Sequence, residues 1–256
     1  MPDGPPERVA VVTGAGRGIG AATALKLADS GHRVLAVSRT ESDLARFLPH
    51  GNIEILVESV ATESGCDRIS SEVLSRFGSV DILVSNAGIG SFEERPIWNQ
   101  EVAAWEDSIA VNLTASFHLI RRMSRDMIER GWGRIVVISS TAAHVGAKAN
   151  SAYSAAKAGV LGLVRAAAQD LIEFGVTCNA VLPGWVRTEM ADADAAAEAR
   201  ERGITPDEVW KEREASYAAG RVLSPDEIAD VICFLASDES SGVNGEEVTV
   251  SLGSFW

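Results

Sequence analysis

The 256-residue chain is short of cysteine, of long apolar runs and of positive charge, and each shortage narrows what it can be. Its three cysteines, Cys66, Cys178 and Cys233, form an odd set without metal-ligand spacing. A reducing, cytoplasmic interior is the simplest reading, with the thiols serving as small buried hydrophobes. No apolar stretch approaches the roughly 20 residues of a membrane span. The opening Met1-Pro2-Asp3-Gly4-Pro5-Pro6 lacks the charged and apolar regions of a secretion signal and reads as a frayed tail. Lysine and arginine number 23 against 36 aspartates and glutamates, a net charge of −13. Nucleic acid and anionic membrane surfaces are therefore not expected partners. Low-complexity segments and internal repeats are lacking too, and what remains is 46% hydrophobic and 23% charged, the composition of a globular enzyme-sized chain.

Short β-branched runs alternate with helix patterns along this chain. Strands are expected at 9–12, 34–37, 53–57, 82–84, 135–138 and 176–181, with a last one at 247–250 after a helix at 225–236. Alternation of this kind implies right-handed crossovers building one parallel sheet. The expected fold is therefore α/β: a doubly wound, Rossmann-type parallel sheet of about seven strands with helices on both faces. Residues 1–256 are expected to form a single domain.

The first strand candidate runs straight into Thr13-Gly14-Ala15-Gly16-Arg17-Gly18-Ile19-Gly20, and a helix pattern follows. Glycines between a strand and a helix N-terminus let backbone N–H groups approach a phosphate, which the helix dipole also favours. This is a dinucleotide-binding arrangement, spaced T-G-x-x-x-G-x-G. The run 135–138 continues into Ser139-Ser140, and a serine at the carboxyl end of a buried parallel strand faces the ligand crevice. Tyr153 and Lys157 stand at i and i+4 in an alanine-rich helix pattern, about 5 to 6 Å apart on one face. An ammonium so placed favours the ionised phenol and is expected to draw its pKa down from roughly 10 toward working pH. A solvated helix face is the plainer reading of the pair taken alone.

Together these motifs resemble the short-chain dehydrogenase/reductase family, in its short single-domain subgroup, from about Val9 to Val250. In that family's pattern the glycine motif is Thr13 to Gly20, the N-A-G motif is Asn86-Ala87-Gly88, the active-site asparagine is Asn112, the serine is Ser140, the Y-x-x-x-K pair is Tyr153 and Lys157, and the P-G turn is Pro183-Gly184 with Val186 and Thr188 behind it. The resemblance implies hydride transfer between a nicotinamide and a small-molecule carbonyl or alcohol. Tyr153 would be general acid, Ser140 would polarise the carbonyl, Lys157 would hold the ribose and stabilise the tyrosinate, and Asn112 would hold a water that returns protons. It implies cofactor contacts from Gly14, Arg17, Gly18, Ile19, Gly20, Val60, Asn86, Ala87, Gly88, Tyr153, Lys157, Pro183, Gly184, Val186 and Thr188. It also implies a homotetramer or homodimer through the helices matching 101–129 and 151–174.

Cofactor choice should be set after the second strand, where a carboxylate would bind the free ribose hydroxyls of NAD. Ser38 and Arg39 stand there instead, removing a repelling charge and supplying a partner for a 2′-phosphate. Arg17, a cation at a helix start, points the same way, so NADP(H) is favoured over NAD(H). Glu41 and Asp43 nearby temper this, and two solvated surface arginines are the competing reading. Substrate selection should lie in 189–220, where Thr205-Pro206-Asp207-Glu208 signals an N-cap and a second helix of a helical lid. Trp210, Glu214 and Tyr217 share a face, giving either an aromatic wall or ordinary packing. Phe92, Trp98, Ala142, His144 and Trp185 are candidates for an apolar pocket, although a lone histidine such as His144 is more often a solvated loop residue. The expected activity is NADP(H)-dependent reduction of a ketone or aldehyde. The alternatives are an NAD-dependent alcohol, hydroxy-acid or sugar dehydrogenase and a non-catalytic dinucleotide sensor.

Overall fold

The computed structural model describes residues 7–90, 95–146 and 148–254. The expected frayed tail at 1–6 and the pocket candidate Phe92 lie outside them. The first half runs β1 (Val9–Thr13), α1 (Gly18–Asp29), β2 (Arg33–Ser38), α2 (Glu41–Leu44), β3 (Ile53–Val57), α3 (Glu63–Phe77) and β4 (Ile82–Ser85). The second runs α4 (Val102–Ile109), α5 (Ala115–Arg130), β5 (Gly133–Ile138), α6 (Ser151–Leu171), β6 (Val176–Pro183), α7 (Glu189–Arg202), α8 (Pro206–Ala215), α9 (Pro225–Leu235) and β7 (Glu247–Val250). All seven strands are parallel in the order β3-β2-β1-β4-β5-β6-β7.

Because successive strand residues point to opposite faces, the apolar runs fill two layers. Val9 and Val11 of β1, with Ile135 and Val137 of β5, enter a core built with α3, α5 and α6. Ala10 and Val12, with Val136 and Ile138, face α1 and α9 on the other side. Strands buried on both faces have no solvent face to carry polar alternation, which is why they read as continuous apolar runs. A third, separate cluster of Ala191, Ala195, Ala199, Val209, Trp210, Tyr217 and Val222 holds α7 and α8.

The chain turns outward in opposite directions from β1 and β4, the point where the strand order reverses. At such a point a crevice opens outside the carboxyl ends of the strands. The ends of β1, β4, β5 and β6 all meet at one cleft of about 660 Å³. Two expected elements differ in detail. The first helix begins at Gly18 rather than at residue 21, with Arg17 as its N-cap. The long helix pattern around Asn112 is interrupted by a π-turn at Ala110–Thr114 between α4 and α5.

Candidate active site

The cleft begins at the glycine loop. Thr13 Oγ1, at the end of β1, accepts hydrogen bonds from the backbone N–H groups of Asn86 and Ala87, each at 3.1 Å. Asn86 Nδ2 donates to the carbonyls of Thr13 and Gly14 at 3.0 and 3.1 Å. Asn86-Ala87-Gly88 therefore braces the loop while lining the cleft. Gly14 has φ of +64°, and a Cβ there would lie 2.8 Å from Ala87 Cα. Gly20 corrects an expectation: it does not line the cleft, and a Cβ on it would overlap the Gly14 carbonyl oxygen. Its service is to let α1 start close under the loop.

Gly14, Arg17, Gly18 and Ile19 all line the cleft. No side chain caps the start of α1 and its first turn holds no acid, so its leading N–H groups and positive dipole end suit an anionic ligand. Ser38, Arg39 and Val60 line the same end. Arg17 and Arg39 are exposed, and neither side chain makes a hydrogen bond or ion pair among the described residues. Asp43 is there too: a Cβ on Gly16 would meet Asp43 Cβ at 2.5 Å and Ser38 Oγ at 3.0 Å. These residues fit a dinucleotide whose phosphates lie on the loop and whose adenosine end reaches Ser38.

Across the cleft stand Ser140, Tyr153 and Lys157. Ser140 follows β5 and caps a short turn, its Oγ accepting from Ala142 N at 3.1 Å. Tyr153 lies in the first turn of α6, and Lys157 one turn on has its Nζ 5.6 Å from the Tyr153 ring centre. The expected depression of the phenol is not found. Burial pushes the Tyr153 hydroxyl above its ordinary value, a hydrogen bond with the Ser140 side chain pulls it back, and the charge of Asp194 raises it further. The ammonium of Lys157 is turned to the Ile138 carbonyl at 2.8 Å, and burial pulls its own pKa down to about 8. Spacing predicts the proximity of these groups but not their removal from water, which is the largest influence on both.

Asn112 is 2% exposed, and its amide is fully engaged. Its Oδ1 accepts from Ile89 N at 3.1 Å, and its Nδ2 donates to Ile89 O at 3.0 Å and Ser108 Oγ at 3.1 Å. With both donors committed, the side chain pins the segment after Gly88. Pro183, Gly184, Val186 and Thr188 line the cleft as expected. Thr188 also caps α7, accepting from Ala191 N at 3.2 Å.

Of the pocket candidates, Ala142 and Trp185 line the cleft and Trp98 and His144 do not. Trp98 is 80% exposed, and His144 pairs with Glu247 at 3.0 Å. Trp210 and Tyr217 are buried beneath α7, the packing alternative rather than the aromatic wall. Trp210 Nε1 donates to Asp192 at 3.0 Å, and Tyr217 Oη accepts from Trp185 N at 2.6 Å. Sequence reasoning missed Asn150, Met190 and Asp194, which complete the substrate end. Asn150, three residues before Tyr153, was the one within reach of a motif.

The family described as enoyl-(acyl carrier protein) reductase matches residues 14–254. The chain is 34% identical to D-beta-hydroxybutyrate dehydrogenase of Rhizobium meliloti, covering 96% of this chain and 98% of that one. It is 36% identical to acetoacetyl-CoA reductase of Shinella zoogloeoides, covering 97% and 99%. A variant of actinorhodin polyketide ketoreductase, solved with NADPH, superposes with a TM-score of 0.90 at 32% identity over 97% of this chain and 98% of that one.

Proposed function

The chain belongs to the short-chain dehydrogenase/reductase family, whose members act on CH–OH and C=O groups, and on that premise we propose that it reduces a ketone or aldehyde to an alcohol, reversibly, with NADP(H) preferred over NAD(H). The observation that carries this reading is the convergence of Ser140, Tyr153 and Lys157 on one cleft with the glycine loop and two unpaired arginines. Membership in a family of oxidoreductases sets aside the sensor alternative.

A nicotinamide, when bound, supplies the hydride. The chain's own residues do the rest. Tyr153, kept protonated by its burial, gives its proton to the substrate oxygen as negative charge grows there. Ser140 is fixed by its turn before that charge develops and donates a hydrogen bond to the same oxygen. Lys157 stabilises the tyrosinate left behind. Its reach past Gly88 suits the nicotinamide ribose, since a Cβ on Gly88 would be 3.7 Å from Nζ. Asn112 positions the Ile89 backbone that borders the substrate. Pro183, Gly184, Val186 and Thr188 orient the carboxamide. The helices α7 and α8 act as a lid on the single domain.

Arg17 and Arg39 support NADP(H) by offering two uncompensated cations at the adenosine end. Titrating both reduced dinucleotides tests this: NADPH should bind at least about tenfold more tightly, and Arg39→Ala should erase that margin while leaving NADH affinity within about twofold. Asp43 beside Ser38 favours the NAD reading, and equal or tighter NADH binding would establish it. No helix among the described residues is long and apolar enough to cross a membrane, and buried free Cys66 and Cys178 support a reducing cytoplasmic setting. Assembly into a homotetramer or homodimer is supported by exposed Trp105, Phe117 and Phe174 along α4 to α6, and light scattering would read it directly.

A further inference from the structure

The substrate end of the cleft is walled by hydrogen-bond acceptors that the reaction does not use. Asp194, in the second turn of α7, lines the cleft. Its Oδ2 accepts from Arg213 Nη2 at 2.6 Å, and its Oδ1 has no partner among the described residues. Arg213 holds this carboxylate in place from a fixed position. Its side chain is 7% exposed, its guanidinium stacks 3.7 Å from the Trp185 ring, and Nη2 also reaches Glu198 at 2.8 Å. Glu198 is shared in turn with Arg202 at 2.6 Å, so Arg213 is divided between two carboxylates and Asp194 keeps part of its negative charge. That charge is felt at the phenol of Tyr153, where Asp194 favours the neutral form.

A second, independent acceptor comes from another element. Asn150, at the start of α6, also lines the cleft, and its buried Oδ1 makes no hydrogen bond among the described residues. A buried amide oxygen left without a donor is unfavourable until a ligand satisfies it. Among the described residues, Lys157 is the one basic side chain lining this end, and its ammonium is bonded to the Ile138 carbonyl. Glu189, also in the cleft lining, stands at the glycine loop instead, its Oε2 3.8 Å from where a Cβ on Gly18 would be. Among the described residues this end offers acceptors, the negative charge of Asp194 and no cation besides Lys157.

We propose that Asp194 and Asn150 select a neutral, hydroxyl-bearing ketone, each accepting a hydrogen bond from the substrate away from its carbonyl, and that Asp194 turns away ketones carrying a carboxylate. This rests on the carbonyl-reduction reading of the cleft and names its substrate class. Arg213 is a positioning residue that aims Asp194. Discrimination arises because a carboxylate brought to Asp194 would meet a like charge in a partly desolvated site, whereas a hydroxyl satisfies an open acceptor.

The test uses three methyl ketones on one four-carbon chain: hydroxybutanone, butanone and acetoacetate. Specificity constants with NADPH are compared for the wild type, Asp194→Asn, Asn150→Ala and the control Asp192→Asn, which removes the same charge from the same helix at a residue outside the cleft. Affinities for the three ketones are measured in parallel by tryptophan fluorescence in Tyr153→Phe saturated with NADPH, with and without Asp194→Asn. The wild type should favour hydroxybutanone over acetoacetate. Asp194→Asn should shrink that preference by roughly tenfold, mostly through a lower KM for acetoacetate. Asn150→Ala should weaken hydroxybutanone several-fold more than it weakens butanone. A hydroxybutanone-to-acetoacetate ratio that stays in Asp194→Asn where it stands in Asp192→Asn would overturn the proposal. Failure to reduce any ketone would instead overturn the carbonyl-reduction reading, and the binding ratio would still decide the role of Asp194.

Discussion

At Tyr153 and Lys157 burial works on both partners at once, keeping the phenol protonated and loosening the proton on the ammonium. Lys157 titrates at about 8 in the folded chain against 10.5 when unperturbed. Ketone reduction should therefore be level near neutral pH and fall as pH rises through about 8, when the charge that stabilises the tyrosinate is lost; initial rates between pH 6 and 10 would show the fall. The same depression bears on stability. Between these two values the unfolded chain holds a proton that the folded chain has released, so the full cost of burying the ammonium is felt below about pH 8 and fades toward 10.5. That cost is on the order of 3 kcal/mol. Lys157→Met should thus gain stability on the wild type at pH 7, and the gain should shrink by pH 10 in urea unfolding. Asn112 gives a contrasting case. Asn112→Ala strands the N–H and C=O of Ile89, and should cost roughly 2 to 3 kcal/mol of stability while leaving the pH profile of the remaining activity in place. A shifted pH profile would assign the relay role to its side chain.

The elements differ in how openly the sequence displays them. β1 and β5 are legible because both of their faces are buried, and α8 because Thr205, Pro206 and Glu208 form a complete capping box in the local sequence. The π-turn at Ala110–Thr114 is not legible, since the Asn112 amide reaches a loop more than twenty residues back and no local period marks that contact. The Asp194 to Arg213 pair is hidden for the same reason: it joins two helices across 19 positions. The fold and the ligand-facing motifs could thus be read from local spacing, whereas the substrate wall is a tertiary product. Thr205→Ala removes one bond of the capping box and should cost α8 about 1 kcal/mol. Because α8 carries Arg213, the expected signature is a raised KM for the ketone with nicotinamide affinity unchanged, read from steady-state kinetics with each substrate varied in turn.

For the whole molecule, the sheet order fixes where chemistry can occur. Strand order reverses between β1 and β4, and the strand ends there bring residues from Gly14 to Asp194 to one cleft. Asp194 lines the substrate end of the cleft, while Arg17 and Arg39, without ion pairs among the described residues, share the other end with Asp43 and Glu58. In a chain with a net charge of −13, these two arginines line the cleft where the proposed NADP(H) would set its phosphate. The most direct measurement of the account is a single turnover of one ketone by wild type and Tyr153→Phe, each saturated with NADPH and followed by nicotinamide absorbance. The account predicts that both proteins bind NADPH with affinities within about threefold, and that the wild type consumes it while the variant is slower by roughly a thousandfold. Equal rates of consumption in the two proteins would contradict it.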